Sequence, residues 1–448
     1  MHCLTIAEAK SVLETHNDAP SELKGLSTEE LTMAWPDWVA RRDAQVRARI
    51  IKGEEDSLAN LLLNGTSFTK IPQVTDVYRA TLIHQLGSEE SADRNIHAVI
   101  TDRSIDLARA ISAPGEDERR LIMLDAANRI GCGAARNQEE QHKLAQCLFD
   151  NLVRYLNEQR AYATVFASAK TTSSPGIPIT LANLYQTRGL STDTSILVDY
   201  ALAQALQDLY HTGLLKQDSV RRAGVIGPGL DLIDKQGGSD LYPPQITQPF
   251  VLMDTLLRLK LAKVEDLRIS TFDVNARINQ HLEGAVKRAR DNQAYIMHLV
   301  YNDSLGWSPG AVGFWKTCGD LIGESSTPVS QPDLSGAITR TIHMRPEWTA
   351  MIHPVNLNIV SQQLPLPINE RFDLLIATNM LCYYNPFEQS LAMHNAARML
   401  RPGGILLSTE ILPESHNSDI HQANSTSVTT SKSGGYVIQC YQRSSSSQ

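Results

Sequence analysis

Three stretches of the chain place groups able to grip a ligand where strands are expected to end. In "RRAGVIGPGLDLIDKQGG" the apolar run Ala223–Ile226 enters Gly227, Pro228, Gly229, Leu230 and Asp231. Glycine has no Cβ, so a ligand can approach the backbone of such a turn closely. The same two glycines also suit a plain tight turn from strand to helix. In "LRISTFDVNARINQHL", Asp273 stands between a strand and a helix. A carboxylate there can accept two hydrogen bonds from a ribose diol, or it can cap the helix that follows. Gly227 and Asp273 lie 46 positions apart (273 − 227), against about 20 in the simple dinucleotide fingerprint. The excess is the loop "DKQGGSDLYPPQITQ", an insertion placed to fold over a ligand with Asp240 and Tyr242 near its tip.

The third stretch, "RFDLLIATNMLCYYNPFEQSLAMHNAARMLRPGGILLSTEIL", reads strand, loop, helix, Pro-Gly-Gly turn, strand. It ends a region, from residue 222 on, in which short apolar runs (AGVIG, LRISTFDV, AYIMHLVY, FDLLIATN, GILLSTEIL) alternate with helical segments. Near-continuous apolar strands alternating with helices imply a parallel sheet covered on both faces. In such a sheet ligands collect at the carboxyl ends of the strands. The tail "TSVTTSKSGGYVIQCYQR" reads as a hairpin around a Ser-Gly-Gly turn. Residues 1 to about 215 read as helical. "STEE" at Ser27 to Glu30 has the form of a capping box, and Leu144, Leu148, Leu152 and Leu156 line one helical face as core. The polar loop 170–192 is the expected joint. The domains expected are therefore a helical N-terminal one, 1–190, and an α/β one, 191–448, with an insertion at about 301–350. That insertion holds Trp307 and Trp315 and serves either as a substrate lid or as a flap over the sheet edge.

The order F-D-L-L-I, T-N at the strand end, an apolar-Tyr-Tyr loop, a helix and L-R-P-G-G-I-L-L resembles the fourth and fifth strands of Rossmann-like S-adenosylmethionine-dependent methyltransferases. It is particularly similar to the chemotaxis-receptor glutamate methyltransferases. "HPVNLNIVSQQLPLP" resembles the Asn-Leu segment after their third strand, and the hairpin fits because methyltransferase sheets end in an antiparallel strand. The resemblance spans about residues 196–443. It implies a Rossmann-like methyltransferase sheet with a C-terminal antiparallel hairpin and S-adenosylmethionine as cofactor. Residue by residue, it implies that Gly227 and Gly229 form the turn under the cofactor's amino-acid part. The acid usual before the first glycine is absent, and Asp231 follows the glycines instead. Asp273 would hold the ribose and Asn356 would lie near the adenine. Thr378, Asn379 and Tyr383 would line the floor between methyl donor and acceptor. Tyr383, Tyr384 and Tyr242 would shape the acceptor site. Thr378 stands where the chemotaxis enzymes carry Arg.

The function expected is methyl transfer to a small-molecule or protein acceptor. A nicotinamide-dependent oxidoreductase using "GVIGPG" as its phosphate turn, and a non-catalytic methyltransferase-like scaffold, are the alternatives. No catalytic residue is assigned: G-x-S-x-G, HExxH and G-x-x-x-x-G-K-[ST] are all missing from the sequence. Methyl transfer from a sulfonium needs chiefly positioning and exclusion of water. A net charge of −8 argues against a broad nucleic-acid face while leaving room for a local basic patch. His416 and His421 lack a third ligand at a sensible spacing, so no metal is expected. Apolar runs fall short of the roughly 18 residues a membrane helix needs, and the N-terminus has no signal-peptide pattern. The six cysteines are scattered, which reads as free thiols in a cytoplasmic protein.

Overall fold

The computed structural model describes residues 1–16, 18–64, 69, 71, 72, 74, 76–113, 118–171, 195–231, 246–302, 306–326, 337–413, 419–432 and 434–445. After β1 (His2–Cys3) the helical half holds α1 (Ile6–Thr15), α2 (Thr28–Asn64), α3 (Asp76–Leu86), α4 (Glu89–Ser112), α5 (Glu118–Arg129), α6 (Gln138–Thr171) and α7 (Ile196–His211). The alternating half begins β2 (Arg222–Ile226), α8 (Gln248–Arg258), β3 (Arg268–Asp273), α9 (Ala276–Arg290), β4 (Tyr295–Asn302), α10 (Pro309–Thr317), β5 (Gly323–Ser326) and β6 (Ala337–Met344). It continues α11 (Pro346–Thr349), β7 (Ile352–Asn356), β8 (Gln362–Gln363), β9 (Phe372–Ala377), α12 (Pro386–Met399), β10 (Leu400–Ser408), β11 (Ile420–Ser431) and β12 (Gly434–Arg443).

Seven strands form one sheet in the order β11-β12-β10-β9-β2-β3-β7. β7, β3, β2, β9 and β10 are mutually parallel, and β12 and β11 close the edge as an antiparallel hairpin. The chain is thus a mixed α/β protein around a mostly parallel sheet. The order runs β2, β3, β7 to one side and then returns to β9 and β10 on the other. β2 and β9 therefore flank the switch point, where a crevice opens at the carboxyl ends.

Alternation along each strand divides its side chains between two cores. Ala223, Val225, Leu374 and Ile376 face one core, shared with α4, α6, α7 and α8. Ile226, Leu375 and Ala377 face the other, shared with α1, the first half of α2, and α12. The helical half is thus packed into both cores, and β1 pairs with β8. The boundary expected near residue 190 lies outside the described residues. The capping box at Ser27 forms: Ser27 N–H donates to Glu30 Oε2 (2.8 Å) and Glu30 N–H donates to Ser27 Oγ (3.2 Å). Leu144, Leu148 and Leu152 are buried, with Leu156 packed beside them.

Two expectations fail. AYIMHLVY reads as a strand of the parallel sheet, but β4 forms a separate antiparallel sheet in the order β4-β6-β5. An apolar run does not state its partner, and β6 pairs with β4 along its whole length, from Tyr295–Met344 to Asn302–Ala337. The insertion therefore starts at β4, and β7 takes the third parallel position. Nor are all six cysteines free. Cys132 and Cys147 form a disulfide, their Cα atoms 5.5 Å apart. A 15-residue separation gave no sign that the turn after α5 folds back on α6.

Gly224 shows how tightly the central strand is packed. A Cβ there would lie 2.5 Å from Leu375 Cδ2 and 2.7 Å from Phe272 Cε2. Overpacking of this kind costs about 1–3 kcal/mol. Gly224→Ala should lower the unfolding free energy by that amount in urea titrations, and an unchanged midpoint would mean that β3 and β9 yield easily.

Candidate functional site

A cavity of about 880 Å³, counting its open mouth, lies at the switch point. Each wall traces to a strand end. After β2, Gly227 (φ 69°) and Gly229 (φ 107°) adopt conformations that side chains disfavour. Gly227 N–H is fixed by Phe272 O (2.9 Å), and a Cβ on Gly227 would strike Met380 Cγ at 2.8 Å. This turn exposes backbone to the cavity because both residues are glycine.

After β3 comes Asp273. The capping alternative is occupied by another residue: Asn275 is the N-cap of α9, its side chain accepting from Arg277 N–H. Asp273 instead accepts a hydrogen bond from Asn275 N–H (2.7 Å) and lines the cavity. Burial pushes its carboxyl up to about 7, against the hydrogen bonds from the backbone of Asn275 and Val274.

After β9, Thr378, Asn379, Met380, Tyr383 and Tyr384 line the cavity. Thr378 Oγ1 accepts from Gln248 Nε2 (2.5 Å) at the start of α8. Asn379 holds a left-handed backbone (φ 53°), and its N–H donates to Thr409 Oγ1 (2.7 Å) beyond β10. Tyr384 is buried, which pushes its phenol up to about 12, partly opposed by Arg49.

The far wall comes from α2, which lies across the strand ends. Arg47 Nη1 donates to Val274 O and to Asn356 Oδ1, both at 3.1 Å. Arg49 Nη1 donates to Tyr383 O (3.2 Å) and its guanidinium sits 5.5 Å from the Tyr384 ring centroid. Asn358 Nδ2 donates to Asp43 Oδ1 (2.8 Å), and Arg42 pairs with the buried Glu388 of α12. Arg49 and Ile50 thereby enter the cavity wall.

Seven of the residues singled out from sequence meet here: Gly227, Gly229, Asp273, Thr378, Asn379, Tyr383 and Tyr384. Three do not. Asp231, only 1% exposed, accepts from Tyr295 Oη (2.8 Å) and lies 3.7 Å from His281 Nε2, so it anchors the turn and is absent from the cavity lining. Asn356 is held by Arg47, and Asn358, two residues on, reaches the cavity. Tyr242 falls outside the described residues. Sequence reasoning missed Arg49, Ile50, Ile278, Leu357 and Ile359. The pattern "QVRARII" marks an amphipathic helix but carries no sign of which surface it crosses. Among the described residues no group of three or more His, Cys, Asp or Glu is placed to hold a metal, and no helix is long and apolar enough to cross a membrane.

No protein-family model matches the chain. No curated protein sequence matches it either. Among solved structures that align with it is LaPhzM, at 12% identity and a TM-score of 0.29, over 81% of this chain and 99% of that one. NcsB1, an O-methyltransferase from neocarzinostatin biosynthesis in complex with S-adenosyl-L-homocysteine and 1,4-dihydroxy-2-naphthoic acid, aligns at 10% and 0.28 over 78% and 95%. Human N-acetylserotonin methyltransferase in complex with S-adenosylmethionine aligns at 11% and 0.26 over 83% and 99%. The similarity to chemotaxis-receptor methyltransferases expected from the last third of the chain has no counterpart among them.

The Asp273 environment has a measurable consequence. An unfolded aspartate titrates near about 3.9, below the folded value of about 7. Such a carboxyl folds more readily protonated, so it opposes folding increasingly from about pH 4 up to about pH 7 and by a constant amount above. Asp273→Asn should therefore gain stability relative to the parent across that window and hold its advantage beyond it. A pH-independent difference in urea midpoints would mean the carboxyl titrates as an ordinary one.

Proposed function

We propose that the protein is an S-adenosylmethionine-dependent methyltransferase acting on a small-molecule acceptor. One observation carries the reading: the cavity at the switch point joins a bare-backbone glycine turn, a carboxylate at the end of the next strand, and an Asn and two Tyr at the end of the strand on the other side. The first suits the cofactor's amino-acid end, the second a ribose diol, and the third the place where donor meets acceptor. The donor set is chemically apt. Asp273 keeps oxygens free to accept, and the apolar side chains of Ile226, Phe272, Ile278 and Leu357 offer faces for a flat ring.

When bound, the cofactor supplies an electrophilic methyl group, and displacement at that carbon requires the acceptor in line. The chain's own residues do the positioning. Tyr383 and Tyr384 give the acceptor pocket a flat, apolar lining, and Asn379 offers an amide beside them. Arg49, braced by Tyr383 O and the Tyr384 ring, sets a positive charge at the mouth. α2 covers the strand ends and excludes water, which strengthens each of these contacts. No residue is assigned as a general base, since an acceptor that is already nucleophilic needs none. The tyrosine-walled cavity, about 880 Å³ with its open mouth, suits a small acceptor better than a folded protein chain.

Calorimetry with S-adenosylhomocysteine tests the assignment directly. The ribose diol donates to an ionised Asp273, so affinity should rise with pH up to about 7 and level off above. In the acid limb it should fall about tenfold per pH unit. At pH 8, Asp273→Asn should weaken binding by about 1.5–3 kcal/mol, the range for hydrogen bonds to a charged group, and lose the pH dependence. Gly229→Leu should abolish binding while leaving the sheet folded. Stabilisation by NADH in place of S-adenosylhomocysteine would turn the reading to a nicotinamide oxidoreductase. Stabilisation by neither would leave a binding scaffold. Mass spectrometry for a donor-dependent product heavier by one methyl group identifies the acceptor.

A further inference from the structure

We propose that the amino edge of the same sheet carries a second site, a cleft that binds a phosphoryl-bearing ligand. The cleft encloses about 720 Å³, counting its open mouth, and is lined by Arg221, Arg222, Arg371 and Arg401 with Asp218, Ser219, Ile368, Asn369 and Asp373. It sits where β2 and β9 begin, so it is separated from the first cavity by the length of the strands, roughly 15 Å at about 3.3 Å per residue. Four arginines line one cleft in a chain whose net charge is −8.

Both acids of the cleft are already engaged. Asp373 accepts from the backbone N–H groups of Arg221 (2.7 Å) and Arg222 (2.9 Å) and pairs with Arg401. Asp218 lies 3.8 Å from Lys263 Nζ. Among the described residues, Arg221, Arg222 and Arg371 have no carboxylate within ion-pair distance. Arg371 makes one long contact, Nε to Leu366 O at 3.4 Å. The surrounding field is positive as well. Burial and then repulsion from Arg398 lower the Arg371 guanidinium from its ordinary value. Burial, Arg371 and Arg398 do the same to Arg443, with Asp419 opposing.

Arginines at a sheet edge also serve as plain solubilising charge, each facing water on its own. Here they share one concavity, and their local acids are spent on the backbone and on a neighbouring lysine. An oxyanion entering the cleft would relieve their mutual repulsion. Guanidinium forks match phosphate oxygens in pairs. A tetrahedral phosphoryl group also offers more acceptor oxygens than a carboxylate, so several arginines can share it. Among the described residues no aromatic side chain lines the cleft, so a base finds no stacking surface there and the charge itself is what is recognised.

Calorimetry on the full chain with pyrophosphate, at fixed ionic strength, tests this site independently of the first. Inorganic phosphate, citrate and sodium chloride at matched ionic strength run alongside. Pyrophosphate should bind, phosphate more weakly, and citrate at least several-fold more weakly than pyrophosphate. The Arg222→Gln/Arg371→Gln double variant should lose at least tenfold in affinity, whereas Asp273→Asn should bind pyrophosphate as the parent does. If the double variant does not fold, Arg221→Gln, an exposed position, should still weaken binding several-fold. Heat no greater than that of the chloride control, or a folded variant that binds like the parent, overturns the site. Citrate binding as tightly as pyrophosphate overturns the phosphoryl assignment.

Discussion

The pairing of β2 with β9 is the constraint on which the rest depends. Residues Ala223–Val225 pair in parallel with Leu374–Ile376, though these strands are the first and fourth of the parallel set. The connections leaving them run in opposite directions across the sheet, and no backbone can fill the gap between their carboxyl ends. Everything assigned to the cavity follows from that gap. The glycine turn borders it on one side, Thr378 and Asn379 on the other, and Asp273 reaches it from the next strand out.

What closes the gap is apolar and electrostatic together: Trp35, Trp38, Val46 and Ile50 of α2 join the core on this side of the sheet. α2 carries Arg42, Arg47 and Arg49 over the strand ends, where they meet the buried Glu388 of α12, the Val274 carbonyl past β3 together with Asn356 Oδ1 at the end of β7, and the Tyr383 carbonyl past β9. Carbonyls at strand ends would otherwise need water. The same contacts that shield them hold Arg49 against Tyr384. Covering the cavity and furnishing a cationic residue of its wall are therefore a single structural event.

The sheet was largely legible in the sequence because its strands are apolar on both faces and separated by helices of ordinary length. The strand ends were legible too, since Gly227, Gly229, Asp273 and Asn379 are residue types that stand out in otherwise apolar runs. What could not be read was anything set by a distant partner. AYIMHLVY has the same texture as a parallel strand, and β6, which claims it, is more than 30 residues further on by the numbering of their ranges. Asn356 and Asn358 occupy alternate positions at the end of β7, and only the arginine spacing on α2 decides which one is taken up. Cys132, in the turn after α5, and Cys147, on α6, are brought together by packing, which their spacing does not reveal.

The insertion then acquires a structural role in the site, though none of its described residues lines the cavity. Asp231 closes the glycine turn, and it is buried against Tyr295 at the start of β4 and His281 on α9. Phe250 stacks on the same Tyr295 ring at 4.8 Å between centroids, tying in α8, the helix whose first residue, Gln248, holds Thr378. One tyrosine on the inserted sheet therefore bears on both sides of the switch point: on the turn through Asp231 and on the floor through α8. The added sheet is a brace for the strand ends, and the cavity keeps its shape because β4 is pinned along its length to β6. This accounts for an acid lying after the glycines in this chain: it is spent on holding the turn, and Asp273 is left as the carboxylate that faces the cavity.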